Sequence, residues 1–330
     1  MLQRLSKRNF SALCALTSAF LFASGMPAAK FLVRVVHPIM LAGLFYIGSG
    51  FGLSCLLALK GRLRNQTQER AQKHTPLQGQ DQDKNINTEN GHEQVQARRS
   101  TRLSKSGNDW RWLLASTLIG GVLAPISLMI AMTLAKASSV ALLLNLEIVF
   151  TVLIASLYFQ ERLTRRELLG VFAISCGGIS LSWGGSLDIC WASLFAAGAA
   201  FCWALDSNIT AQIAHLEPLS VARFKGLVAG SINLAVAMIL GARCFDLGII
   251  GGALLTGLLC YGLSLSAFIF SLRNLGAARA IAYFAVEPFV GALLCLVTLK
   301  EVLSINLIVA GALMSIGVFI HLTEPHPEIY

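Results

Sequence analysis

Residues 137–163 read ASSVALLLNLEIVFTVLIASLYFQERL and residues 277–303 read AARAIAYFAVEPFVGALLCLVTLKEVL. Each is an apolar run with an acid near its middle, Glu147 in one and Glu287 in the other, and each closes on a second acid, Glu161 or Glu301. Glu147 to Glu287 and Glu161 to Glu301 are both steps of 140 positions. The same register pairs Gly177 with Gly317 downstream, and LMIAMTL from Leu128 with FIFSLRN from Phe268 upstream. Nearer the N-terminus the step becomes 180, aligning His37 and Pro38 with Glu217 and Pro218, and one polar insertion accounts for the difference. Self-similarity of this kind marks a duplicated unit. Five spans per copy is an odd number, so the second copy enters the membrane from the opposite face. Inverted copies with a site at their mid-depth seam are the recurrent build of secondary transporters.

Composition agrees with a membrane chain. Of 330 residues 55% are hydrophobic and 13% charged, against roughly 25% charged in soluble domains, and the mean hydropathy is +0.67. A spanning helix needs about 20 mostly apolar residues. Ten such runs can be read: 10–29, 39–59, 112–134, 138–158, 167–183, 189–209, 219–240, 247–272, 277–299 and 302–321. The expected fold class is an all-α integral membrane protein of ten transmembrane helices in two inverted five-helix repeats. Basic Arg4, Lys7 and Arg8 before the first run, with Pro27, Ala28 and Ala29 after it, resemble a secretory leader. Because that run has a counterpart in the second half, it is read as a retained helix. The eight cysteines lie mostly inside apolar runs without CxxC spacing, which points to free packing thiols rather than a disulfide framework.

The expected organisation is residues 1–59 as the first two helices of repeat 1, 60–109 as a disordered cytoplasmic loop, 110–184 as the remaining three helices, and 185–330 as repeat 2 with a short tail. The loop is rich in Gln, Asn, Lys and Arg with no apolar periodicity, a composition unable to bury a core. The net charge of +9 reads as topology and attraction to lipid headgroups, not as a nucleic-acid footprint. With cytoplasmic N- and C-termini, Arg162, Arg165, Arg166, Arg223, Lys225, Arg273, Arg279 and the loop flanks fall inside. Only Lys30, Arg34, Lys136, Arg243 and Lys300 remain outside, as the positive-inside bias requires.

Charged groups at mid-membrane demand a reason, since a carboxylate there costs about 2.5–3.5 kcal/mol on insertion scales. Glu147, with Asn145 two positions away, and Glu287, with Pro288 beside it and Tyr283 one turn back, are candidates for binding a substrate amine or a proton. The competing role for each is a protonated acid bonded between helices. Asp206, Asn208 and Trp203 form a polar cluster toward the inner end of the sixth run; it suits a gate or a helix-end cap equally. Glu161 and Glu301 read as caps at span ends, and Lys30 and Lys136 as snorkelling side chains. Gly48 with Gly52 and Gly226 with Gly230 have GxxxG spacing, which permits close helix contact.

With QERLT at 160–164, LLG from Leu168, WALDSNIT at 203–210, LGAAR at 275–279 and YFAVEPFVGA at 283–292, the whole chain resembles the EamA family of the drug/metabolite transporter superfamily. The resemblance implies a plasma-membrane (inner-membrane) permease, commonly an exporter of amino acids, related metabolites or amphipathic compounds, with a central cavity between the halves. Two departures stand out: the long polar insertion, and GMPAAK at 25–30 without the Trp many relatives carry, so no first-span aromatic contact is carried over.

Two other classes compete. An intramembrane enzyme acting on a lipid-borne substrate would need a nucleophile, an acid/base pair or metal ligands converging at one depth. No HExxH or GxSxG is present, and His37, His74, His92, His215, His321 and His326 fall at span ends or in loops. A non-transporting receptor or scaffold would differ in whether the isolated protein binds a small ligand. No catalytic residue, metal site or cofactor is expected. The expected partners are a small-molecule substrate and the bilayer, not nucleic acid; oligomeric state, a homodimer included, stays open.

Overall fold

The structure is a computed structural model, and it describes residues 2–73, 107–158, 164–183, 187–275, 280 and 283–323. Among these every regular element is a helix. We label them α1 (Leu2–Leu32), α2 (Pro38–Lys73), α3 (107–134), α4 (137–158), α5 (Arg165–Ser182), α6 (Leu187–Gln212), α7 (Pro218–Ile239), α8 (247–275), α9 (Glu287–Thr298) and α10 (Ile305–Leu322). Seven described helices are long and apolar enough to cross a membrane: α1, α2, α3, α4, α6, α7 and α8. The chain is therefore a multi-pass membrane protein. α5 falls short of the criterion because Arg165, Arg166 and Glu167 open it, while α9 and α10 are apolar but shorter as described.

Local chemistry explains where helices start. Pro38 and Pro218 occupy first helical positions, where the missing N–H costs nothing. Glu217 accepts from Ser220 N at 2.6 Å, and Asp246 accepts from Gly248 N at 2.8 Å and Ile249 N at 3.1 Å, satisfying donors a helix start leaves free. Thr164 and Glu167 form a reciprocal capping box, at 2.8 and 3.1 Å. α2 continues to Lys73, so the start of the polar insertion is helical; residues 74–106, and with them most of the segment expected to be disordered, lie outside the described residues. Glu161, Arg162 and Arg279 lie outside them too.

Three irregularities recur. α3 contains a π-helical stretch at Thr117–Leu123 and α8 one at Gly257–Leu263. α4 is broken at residues 144–145 and the chain is broken again at 285–286, just before α9. The turns at 33–37 and 213–217 share one pattern. Tertiary packing has the same regularity: α2 lies against α7, α4 against α9, α5 against α10, α3 against α6 and α1 against α8.

Glycines bring α2 close to both α7 and α8. A Cβ on Gly226 would stand 2.5 Å from Gly50 N, and one on Gly230 would stand 2.6 Å from Ile47 N. Gly48 and Gly52 face α8 instead, against Leu254 and Leu258. The opposite ends of the helices are tied by charge. Glu301 takes bonds from Ala137 N at 2.9 Å, Ser138 N at 3.0 Å and Ser138 Oγ at 2.5 Å, so it caps α4, a helix distant in sequence. Lys30 does not snorkel: it donates to the carbonyls of Met132 at 2.5 Å and Ala135 at 2.6 Å, capping the C-terminus of α3, where the helix dipole favours a cation. Lys136 reaches the carbonyl of Val302 at 3.1 Å.

Candidate functional site

Inside the helices lies a cavity of about 90 Å³, lined from α1 by Ser18 and Phe22, from α2 by Tyr46, from α4 by Glu147, from α6 by Trp203, Asp206, Ser207 and Thr210, from α7 by Lys225, from α8 by Tyr261, Ser264 and Phe268, and from the α9 region by Phe284 and Glu287. A side cavity of about 30 Å³ adjoins it, sharing Glu147, Phe268, Phe284 and Glu287 and adding Asn145.

The two acids reach this place through broken helices. At the break in α4, Leu144 N bonds to Ala141 O, Asn145 N to Leu142 O and Glu147 N to Leu144 O, the tight i−3 pattern. Helix resumes at Leu146, so Glu147 falls in its first turn; Glu287 likewise falls in the first turn of α9, followed by Pro288. Helix starts carry partial positive charge, which favours a carboxylate at each. Half-buried Glu147 accepts from Ser207 Oγ at 3.1 Å. Glu287 is 3% exposed, and its Oε1 has no hydrogen-bond partner among the described residues.

Asp206 is held differently. Lys225 donates to its two oxygens at 2.8 and 2.7 Å, and Ser116 and Thr210 donate to Oδ1 at 2.6 and 3.1 Å. Lys225 is 1% exposed and Asp206 8%, which makes this a buried ion pair joining α3, α6 and α7. By sequence Lys225 falls with the inner basic flank. The structure corrects that, because position 225 is two turns into α7 and turned inward. The charge inside the run 219–240 was the available signal.

The π-helical stretch of α3 supplies acceptors beside the pair. Gly120 O receives Tyr46 OH at 2.9 Å and Trp203 Nε1 at 3.2 Å, and Gly121 O receives Asn233 Nδ2 at 3.1 Å. A Cβ on Gly120 would collide with the Asp206 carboxylate, so only glycine fits there. Phe22 centres an aromatic wall, with ring centroids 5.4 Å from Trp203, 5.3 Å from Tyr261 and 6.1 Å from Phe284.

Of the residues singled out in the sequence, Glu147, Glu287, Asp206 and Trp203 line the main cavity. Asn145 lines the side cavity, donating to Leu142 O at 3.0 Å and Met314 Sδ at 3.7 Å. Asn208 and Tyr283 are not brought to either cavity wall. Asn208 donates back to Ala204 O at 2.8 Å, the self-satisfying bond of a polar residue within a helix, and Tyr283 is 39% exposed. Sequence reasoning missed Lys225, Tyr46, Tyr261, Ser116, Ser207 and Thr210.

The chain is thus a helical membrane protein with an aromatic-walled internal cavity that carries two acids and a buried ion pair. Residues 95–183 and 190–323 match the model of the EamA-like transporter family. The chain belongs to that family, and it is a membrane transporter. An uncharacterized transporter of Methanothermobacter thermautotrophicus is 24% identical over 322 residues, covering 95% of this chain and 86% of that protein. A protein known by crystal structure superimposes with a TM-score of 0.62 at 17% identity, covering 94% of each chain, and shares the fold.

Proposed function

We propose that the chain is a secondary transporter, not an enzyme, that carries a small metabolite outward across the plasma membrane by exposing the central cavity to each side in turn. The observation that carries this reading is the cavity itself, where Glu147 and Glu287 stand at the restarts of two broken helices. Discontinuous helices with charged groups at mid-depth are what a solute site between repeats requires. The recurrence of π-helical stretches and turns at the sequence offsets, with the two breaks one position out of that register, supports two five-helix copies, inverted because five is odd. Cytoplasmic termini follow from the basic residues between runs, and outward direction from the family resemblance.

The test is an untargeted comparison of extracellular metabolites between cells lacking and overproducing the protein. A solute enriched outside overproducing cells is expected, and an unchanged profile would count against transport. Once the solute is known, Glu147→Ala should reduce its flux in proteoliposomes by about ten-fold or more while insertion stays normal. Undiminished flux would remove Glu147 from the mechanism.

A further inference from the structure

Four charged side chains line the cavity among the described residues: Glu147, Glu287, Asp206 and Lys225. The single cation is committed, because Lys225 Nζ sits 2.8 and 2.7 Å from the two oxygens of Asp206. That pair is neutral as a unit, and Ser116 and Thr210 complete the bonding of Asp206 Oδ1. What remains for a solute is acidic. Glu147 has one hydroxyl donor, Ser207. Glu287 is nine-tenths buried and more, lines both cavities, and among the described residues keeps Oε1 unpartnered. A buried acceptor without a donor is costly, and a ligand N–H delivered into the cavity removes that cost.

The rest of the wall suits the body of such a ligand. Phe22, Trp203, Tyr261 and Phe284 offer ring faces and edges, and aromatic faces attract cations as well as apolar groups. The hydroxyls of Ser18 and Ser264 lie 3.1 Å apart and each donates to the other's carbonyl region, Ser18 to Ser264 O at 2.7 Å and Ser264 to Ser18 O at 2.9 Å, so they do not form a free donor set for an anion. Among the described residues a solute carboxylate would meet two carboxyls and no available cation. The volume of about 90 Å³ is below the 300–1,000 Å³ of drug-sized pockets.

Resting on the transporter reading, we infer that the cargo is a small organic amine: one protonated nitrogen, a short-chain or single-ring apolar body, and no carboxylate. Glu287 takes the ammonium, and the wall around Phe22 takes the body. Amino acids, which carry a carboxylate on the same carbon as the amine, are thereby disfavoured as cargo.

The experiment measures equilibrium binding of radiolabelled phenethylamine to the purified full-length protein in nanodiscs, with unlabelled phenylalanine and hydrocinnamate as zwitterionic and anionic competitors of matched ring size. The amine is expected to bind, and each carboxylate-bearing competitor to be weaker by about ten-fold or more. Glu287→Gln, confirmed as folded by its thermal midpoint, is expected to lower amine affinity about ten-fold, with Glu287→Asp intermediate. The competition order on the unaltered protein decides the matter even where Glu287→Gln fails to fold. Absence of amine binding, equal competition by hydrocinnamate or phenylalanine, or unchanged binding by folded Glu287→Gln overturns the assignment. Selective amine binding without amine flux in proteoliposomes would keep the site and remove the transport reading. Flux of a carboxylate-bearing solute through the same cavity would keep transport and remove the amine.

Discussion

Lys225 and Asp206 are each other's reason for being inside the membrane. Neither charge is tolerable alone at 1% and 8% exposure, and removal of one partner of a buried pair typically costs about 3–5 kcal/mol, because the other is left uncompensated. Lys225→Met should therefore lower the thermal midpoint of the purified protein sharply. Asp206→Asn combined with Lys225→Met, which removes both charges, should recover most of the loss. A single variant as stable as the parent would show that the pair does not hold α6 to α7. Charged residues at this depth are legible in a sequence because they violate an apolar run, which is how Glu147, Glu287 and Asp206 stand out. Hydroxyls are not. Ser54, Thr151 and Ser266 bond the carbonyl one turn back, to Gly50 at 2.7 Å, Glu147 at 2.8 Å and Gly262 at 2.8 Å, whereas Ser116 and Ser207 cross to another helix. Nothing in the residue type separates the two behaviours, so the donors that complete the site emerge only with the fold.

Among the elements, α2 is the one most tightly gripped, and glycine is the means. Alanine at position 226 would drive its Cβ to 2.5 Å from the backbone nitrogen of Gly50, while alanine at 251 in α8 would meet nothing within 4 Å. Both replacements gain the roughly 1 kcal/mol of helix propensity that separates alanine from glycine. Only the first must push two backbones apart, an overpacking cost of about 1–3 kcal/mol or more. Gly226→Ala should thus lower the unfolding midpoint, and Gly251→Ala should leave it unchanged or raise it; equal effects would mean that α2 and α7 are not in contact through this face. The GxxxG spacings announced small-residue faces but not their partners, for Gly226 and Gly230 address α2 whereas Gly48 and Gly52 address α8. The π-helical stretches were invisible to periodicity, since one extra residue per turn over seven residues shifts an apolar pattern by less than the uncertainty of a run's ends.

At the scale of the whole molecule, the two proposed copies share a frame and differ in their lining. The step of 180 that aligns the turns at 33–37 and 213–217 also aligns Asp206 with Met26 and Lys225 with Phe45, so the buried ion pair exists in one half only. The step of 140 keeps an acid in both, Glu147 and Glu287. Contacts obey the same steps: α2 with α7, α4 with α9 and α5 with α10 are counterpart pairs, while α3 with α6 corresponds to α8 with α1. A pairing in which counterparts face each other is what a two-fold axis between the copies produces. If that axis lies in the membrane plane, matched positions emerge on opposite sides. Val35, 62% exposed, and His215, with a side chain 49% exposed, are such a match. In a chain whose eight native cysteines are replaced, Val35→Cys should react with a membrane-impermeant maleimide added to intact cells. His215→Cys should react only after the membrane is opened. Labelling of both from the same side would place the copies parallel, and with them would go the antiparallel frame on which two-sided access to the cavity depends.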